Sequence, residues 1–283
     1  MTGRVVSGPR CAAIVGTYLS GKTSLLECML SRAGAITRRG RVREGNTVGD
    51  SAPEARAHAM SVEMNLASCQ YLDEPWTFID CPGNVELFQE TLAALSVCDA
   101  AILVVEPGTE KIIAATRLIK ELDERAMPYI VFVNKIDAAE ASVRQTLEAL
   151  QHLTARTMVL RELPIREGES VVGYVDLVSE RAYKYHEGQA SDLIEIPAKV
   201  RDEEGSERSH MLESLADFDD ALMEKLLEDR VPATDEIYAS LTKDYQDGQV
   251  VPVFFGSAEQ DRGTWRLLKA LRHDAPQIAR HHE

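Results

Sequence analysis

The feature that most constrains this chain is the stretch from residue 12 to residue 26, A-A-I-V-G-T-Y-L-S-G-K-T-S-L-L. It fits the phosphate-loop pattern G-x-x-x-x-G-K-[ST], with Gly16, Gly21, Lys22 and Thr23 at the defining positions. An apolar run precedes the loop, as a buried parallel strand requires. Leu25, Cys28 and Met29 follow at helical spacing. A strand, a glycine-bounded loop and a helix start point successive backbone N–H groups at one anion. The expected phosphate contacts are Gly16, Thr17, Tyr18, Leu19, Ser20, Gly21, Lys22 and Thr23, with Lys22 reaching the β- and γ-phosphates and the Thr23 hydroxyl on Mg²⁺.

Three later strings carry the same chemistry. The strand expected at 76–80 ends in D-C-P-G, placing Asp80 as a Mg²⁺ holder and the Gly83 N–H as a γ-phosphate sensor. The apolar strand at 129–133 runs into N-K-I-D, with Asn134, Lys135 and Asp137. A carboxylate at Asp137 accepts from the N1–H and exocyclic amine of guanine, a donor pair that adenine lacks. Asn134 and the Lys135 stem are expected to brace the loop and cover the base. The last apolar strand, 250–255, ends in Gly256, Ser257 and Ala258, whose amides are expected at guanine O6. Strands alternating with helices, each motif at a strand's C-terminal end, predict a doubly wound α/β domain with a mostly parallel sheet and helices on both faces. An ATP-using enzyme conflicts with N-K-I-D.

The interval from Asp137 to Ser257, 257 − 137 = 120 positions, exceeds one helix-and-strand crossover. A small α+β subdomain is therefore expected at 158–248, inserted in a nucleotide-binding domain made of 1–157 and 249–283. Its short strands are read at 158–165, 171–178 and 181–186, with turns at 166–169 and 187–188. An acidic helical stretch follows at 202–230, with Leu212, Leu215, Phe218, Leu222 and Leu226 on one face, and a further helix at 234–245. Helices are also read at 86–97, 111–125 and 264–271, and strands at 61–72 and 100–105. Residues 32–56, with Arg38, Arg39, Arg41 and Arg43, read either as a solvated loop or as a switch that orders on nucleotide and touches RNA or phosphates.

Composition narrows the class. A formal net charge of −15 over 283 residues argues against a broad nucleic-acid-coating surface, and no direct DNA binding is expected. Five scattered cysteines without C-x-x-C read as reduced thiols of a cytoplasmic protein. No segment is long and apolar enough to span a bilayer.

The motif order resembles that of translational GTPases. The strings at 34–50, 173–178, 194–198, 218–228 and 252–258 resemble elongation factor G, over its G domain and inserted subdomain. The resemblance implies GTP/GDP and Mg²⁺ as ligands, GTP hydrolysis, and the ribosome as partner, with the inserted subdomain facing the stalk proteins of the ribosome; a monomer is expected. Four further domains follow in that family, and the chain ends where they would begin. It also implies that Ser61 is the switch hydroxyl on Mg²⁺, with Met60 and Tyr18 near the attacking water. Two departures concern chemistry: Asn84 stands where the family has the water-positioning His, and Leu19 where it often has an acid. They resemble divergent elongation-factor-G-like paralogues. The expected catalytic pair is Lys22 with Asn84; the alternative is a GTP-dependent binding switch with little or no hydrolysis. His58 is the weaker candidate to replace the imidazole. His152, His186, His210 and His273 lack ligand spacing, and His281 and His282 read as solvated.

Overall fold

In the computed structural model, which describes residues 8–138, 142–168, 170–186 and 189–276, the chain builds two sheets. Turn residues Glu169, Glu187 and Gly188, and His281 and His282, lie outside the described residues. The first half runs β1 (Arg10–Gly16), α1 (Lys22–Arg32), α2 (Pro53–His58), β2 (Asn65–Tyr71), β3 (Glu74–Asp80), α3 (Phe88–Leu95), β4 (Ala100–Val105), α4 (Thr109–Ile113), α5 (Thr116–Glu124), β5 (Tyr129–Val133) and α6 (Val143–Gln151). The second runs β6 (Thr157–Leu160), β7 (Glu162–Glu167), β8 (Ser170–Asp176), β9 (Arg181–Lys184), β10 (Asp192–Ile194), α7 (Ala198–Ala216), α8 (Asp220–Leu227), α9 (Thr234–Gln246), β11 (Val250–Phe255) and α10 (Thr264–Asp274).

The large sheet has the order β2-β3-β1-β4-β5-β11-β6 and is parallel apart from the β2–β3 hairpin. Its inner strands β4, β5 and β11 are buried at every residue, as continuous apolar runs covered on both faces should be. This is the expected doubly wound architecture. The small sheet, β10-β9-β8-β7, is antiparallel.

The strand expected as one piece over 158–165 is two. β6 pairs in parallel with β11 in the large sheet, and β7 pairs with β8 in the small one. The break falls at Arg161, whose buried guanidinium pairs with Asp274 at 3.2 Å. Asp219 caps α8 through the Ala221 and Leu222 amides, which divides the expected 202–230 helix. Leu212, Leu215 and Leu222 still bury, with Phe218 and Leu226 packed beside them. The helix expected at 111–125 also divides, at Ala114–Ala115, and the strand expected from 61 starts at Asn65. The Asn65 side chain is drawn toward Asp50, accepting from its amide and donating to its carboxylate, both at 3.2 Å.

Buried polar contacts bolt the small sheet to the large one. Arg266 of α10 pairs with Asp176 of β8 at 2.7 Å. Glu162 accepts from the Phe255 amide at 3.0 Å, and its other oxygen is buried without a partner. Burial pushes the Glu162 carboxyl up to about 8, against the opposing pull of Arg266. The unfolded chain therefore ionises first as pH rises, and stability present below the unfolded value of 4.5 is lost toward pH 8. Glu162→Gln keeps the acceptor and removes the ionisation. It is expected to stabilise the fold by about 1–3 kcal/mol at pH 8 and to be near neutral at pH 4.5. Denaturant titrations at the two pH values check this; an equal effect at both would contradict it.

Candidate functional site

A cavity of about 510 Å³ opens at the C-terminal ends of β1 and β3, where the motifs converge. Gly16 ends β1 at φ 156, and a Cβ there would lie 2.1 Å from the Val104 carbonyl oxygen. Gly21 precedes α1 at φ 91, and its Cβ would lie 2.3 Å from Asn134 Nδ2. Glycine at both positions is thus set by a close approach. Between them Tyr18 and Leu19 are exposed, and Leu19 holds a left-handed φ of 58. Ser20 is fully buried and its hydroxyl has no partner.

Lys22 is buried and donates to the Thr17 carbonyl at 2.9 Å. Desolvation lowers the pKa of its ammonium, against the pull of Asp80, Cys81 and Asp50. Thr23 donates to Asp80 at 2.6 Å and lies 3.2 Å from the Ser61 hydroxyl. Asp80 is fully buried, its second oxygen has no partner, and burial raises its carboxyl to about 7. Two hydroxyls and a half-satisfied carboxylate form an all-oxygen set suited to Mg²⁺, so these three residues fit the implied metal. Gly83 borders the same cavity.

The N-K-I-D segment is held to the phosphate loop and to the loop after β11. Asn134 donates to the Ser20 carbonyl and accepts from the Ala258 amide, both at 2.8 Å. Lys135, at φ 61, donates to the Leu19 carbonyl at 2.7 Å and pairs with Glu106 at 2.8 Å. A non-glycine residue held in this region at a site is stored strain. One Asp137 oxygen accepts from Gln260 at 3.0 Å; the other is buried and without a partner. The Ser257 and Ala258 amides differ from expectation. Ser257 donates to the Arg262 carbonyl, and Ala258 donates to Asn134. Both amides thus already have an acceptor within the protein.

Asn84 also differs. Its Oδ1 accepts from the Glu86 amide at 3.1 Å and caps the turn Val85–Leu87, and the residue lies outside the cavity lining. Met60, Ser61 and Tyr18 do line the cavity. His58 sits exposed on α2 and does not.

Residues 38–50 fold over the cavity. Buried Glu27 of α1 accepts from the Gly40 and Val48 amides. Arg39 donates to the Ala258 and Glu259 carbonyls, tying this segment to the base-side loop. Arg41 and Arg43 line the cavity. Arg39 falls in the arginine run read as a candidate switch, whereas Glu27 and Gln260 went unread. Of those two, Glu27 carried a signal: an acid inside the apolar run L-L-E-C-M-L of α1.

A phosphate loop, a carboxylate–hydroxyl cluster and an N-K-I-D segment whose Lys135 lines the same cavity mark a guanine-nucleotide-binding domain. The elongation factor Tu GTP-binding domain family matches residues 9–277. An elongation factor G-like protein of Synechocystis is 43% identical over 94% of this chain and 40% of its own length. Elongation factor G 2 of Geobacter metallireducens is 28% identical, over 93% and 38%. A crystal structure from Thermus thermophilus superposes with a TM-score of 0.88 at 29% identity, covering 96% of this chain and 41% of that one. The chain belongs to the elongation factor Tu GTP-binding domain family, and within it resembles the elongation-factor-G-like proteins. It spans about 40% of the length of these curated relatives. Among the described residues, no helix is long and apolar enough to cross a membrane.

Proposed function

We propose that this chain binds GTP and GDP with Mg²⁺ and hydrolyses GTP in the cytoplasm, as the G domain of an elongation-factor-G-like translation factor acting on the ribosome. The observation that carries the reading is a pair of half-satisfied carboxylates, Asp80 fully buried and Asp137 with one buried oxygen, at opposite ends of one set of phosphate and base motifs. One suits a cation and the other the guanine donor edge.

In this reading the loop amides and Lys22 stabilise charge on the β- and γ-phosphates. Phosphoryl transfer depends on such positioning and charge stabilisation. Thr23, Ser61 and Asp80 hold Mg²⁺, which neutralises phosphate charge when bound. The Gly83 N–H reports the γ-phosphate, and the 38–50 segment responds to it. Lys135 covers the base, Asp137 reads it, and Ser257–Ala258 close over O6. Asn84 orients water through Nδ2, because its Oδ1 serves the cap. The inserted subdomain begins at Glu162, after β6, and offers α7 and α8 to the ribosomal stalk proteins.

The second reading is a GTP-dependent switch with little or no hydrolysis. Asn84 favours it: the amide is committed to a helical cap and cannot become a cation. Multiple-turnover GTP hydrolysis, with and without ribosomes, on the longest native form and on Asn84→His separates the two. Strong ribosome stimulation of the unmodified protein supports the GTPase and ends the switch reading. Binding without turnover, with turnover gained in Asn84→His, supports the switch. The substitution also removes the cap, at a cost of about 1 kcal/mol of stability. If neither form turns over, Asn84 is not the determining residue.

A further inference from the structure

A second cavity, of about 650 Å³, lies away from the nucleotide motifs, between α9 and α10. Its size falls in the range of small-molecule sites. Its lining carries four permanent cations, Arg161, Lys243, Arg266 and Lys269, against two carboxylates, Asp235 and Asp274. That surplus sits in a chain of net charge −15.

The cations divide into two layers. Arg161 and Arg266 are buried, and each leaves its Nε without a hydrogen-bond partner. Each has one acidic partner: Asp274 at 3.2 Å for Arg161 and Asp176 at 2.7 Å for Arg266. Asp274 is shared with Thr242 and Asp176 with Tyr238, so both carboxylates are already committed. Lys243 and Lys269 are exposed and form no ion pair with a described residue. Each buried arginine is balanced by its own carboxylate, so the positive charge without an ion-pair partner is that of Lys243 and Lys269, two mobile donors at the mouth. Tyr238, Ala239 and Ala270 supply apolar surface.

We propose that this cavity binds a small organic anion, a carboxylate or phosphate group carried on an apolar body. The anionic group meets Lys243 and Lys269 above the two arginines, and the body lies against Tyr238 and the alanines. Because α9 belongs to the inserted subdomain and α10 to the nucleotide-binding domain, the ligand touches both. The site is independent of GTP hydrolysis.

Phenyl phosphate is the probe, added to the full chain saturated with GDP and Mg²⁺ so that the phosphate loop is filled. Amide NMR spectra of ¹⁵N-labelled protein are expected to show saturable shifts at Ala239 and Ala270, with a Kd of about 1 mM or tighter. Inorganic phosphate is expected to bind more weakly, because it lacks the apolar body. Lys243→Glu with Lys269→Glu is expected to weaken binding by at least about tenfold while leaving GDP affinity unchanged. Lys269→Gln, which only removes charge, is expected to give a smaller loss in the same direction. The proposal is overturned if no saturable shift appears at α9 and α10, or if the lysine variants bind the probe as the unmodified chain does.

Discussion

Asp137→Asn is expected to weaken GTP binding by about 10²–10⁴-fold, with little change in the fold. One Asp137 oxygen is buried with no partner, and the other holds only Gln260, at 3.0 Å. A carboxylate in this position accepts twice from guanine, from N1–H and from the exocyclic amine. Hydrogen bonds to a charged group contribute about 1.5–3 kcal/mol each, so two of them account for that range. Asparagine keeps the volume, loses the charge, and turns one acceptor into a donor. That donor suits xanthine, which carries a carbonyl where guanine has its amine. Xanthosine triphosphate is therefore expected to recover much of the affinity that GTP loses. Competition against labelled GDP measures both. A GTP affinity within threefold of the unmodified protein, or ATP competing equally in the parent, would remove Asp137 as the base reader.

The sequence made the large sheet and the phosphate site legible for one reason. A buried parallel strand must be a continuous apolar run, and the loop after it must bring backbone close to an anion. Gly16 and Gly21 are fixed by close approaches within the protein, to the Val104 carbonyl and to the Asn134 amide. The inserted subdomain was legible as surplus length, but its edges were not. β6 joins the large sheet while β7, one residue later, joins the small one, and the side chain between them is a buried arginine. No periodicity encodes that exchange. β10 escaped because Asp192 and Leu193 are exposed on a three-residue edge strand. At the site, residue identities were legible and hydrogen-bond commitments were not. The Asn84 Oδ1 is taken up by the Glu86 amide in a cap, and the Ala258 amide, expected toward the base, is held by Asn134. Such assignments depend on which neighbour the fold delivers.

Lys22→Met is expected to move two quantities in opposite directions. The Lys22 ammonium is buried, with the Thr17 carbonyl as its hydrogen-bond acceptor and Asp80 as the leading opposing charge. Burial raises the Asp80 carboxyl to about 7, so near neutrality its charge compensates the ammonium only in part. A buried cation without full compensation costs stability, and once the ammonium is gone Asp80, already raised to about 7, takes up a proton rather than staying as an unpaired buried charge. The nucleotide-free variant should therefore melt at a higher temperature than its parent. With nucleotide the balance reverses, because the same desolvated charge is then next to the phosphates, where it is worth most. Loss of its contacts to the β- and γ-phosphates is expected to weaken GTP by about 10³-fold, roughly 4 kcal/mol. Thermal melts with and without saturating GTP and Mg²⁺ test both halves. The parent should gain strongly from ligand, the variant hardly at all, and the two curves should cross. A variant less stable than its parent in both conditions would mean that Lys22 supports the loop structurally, through Thr17, and that the phosphate site is not held under strain for its ligand.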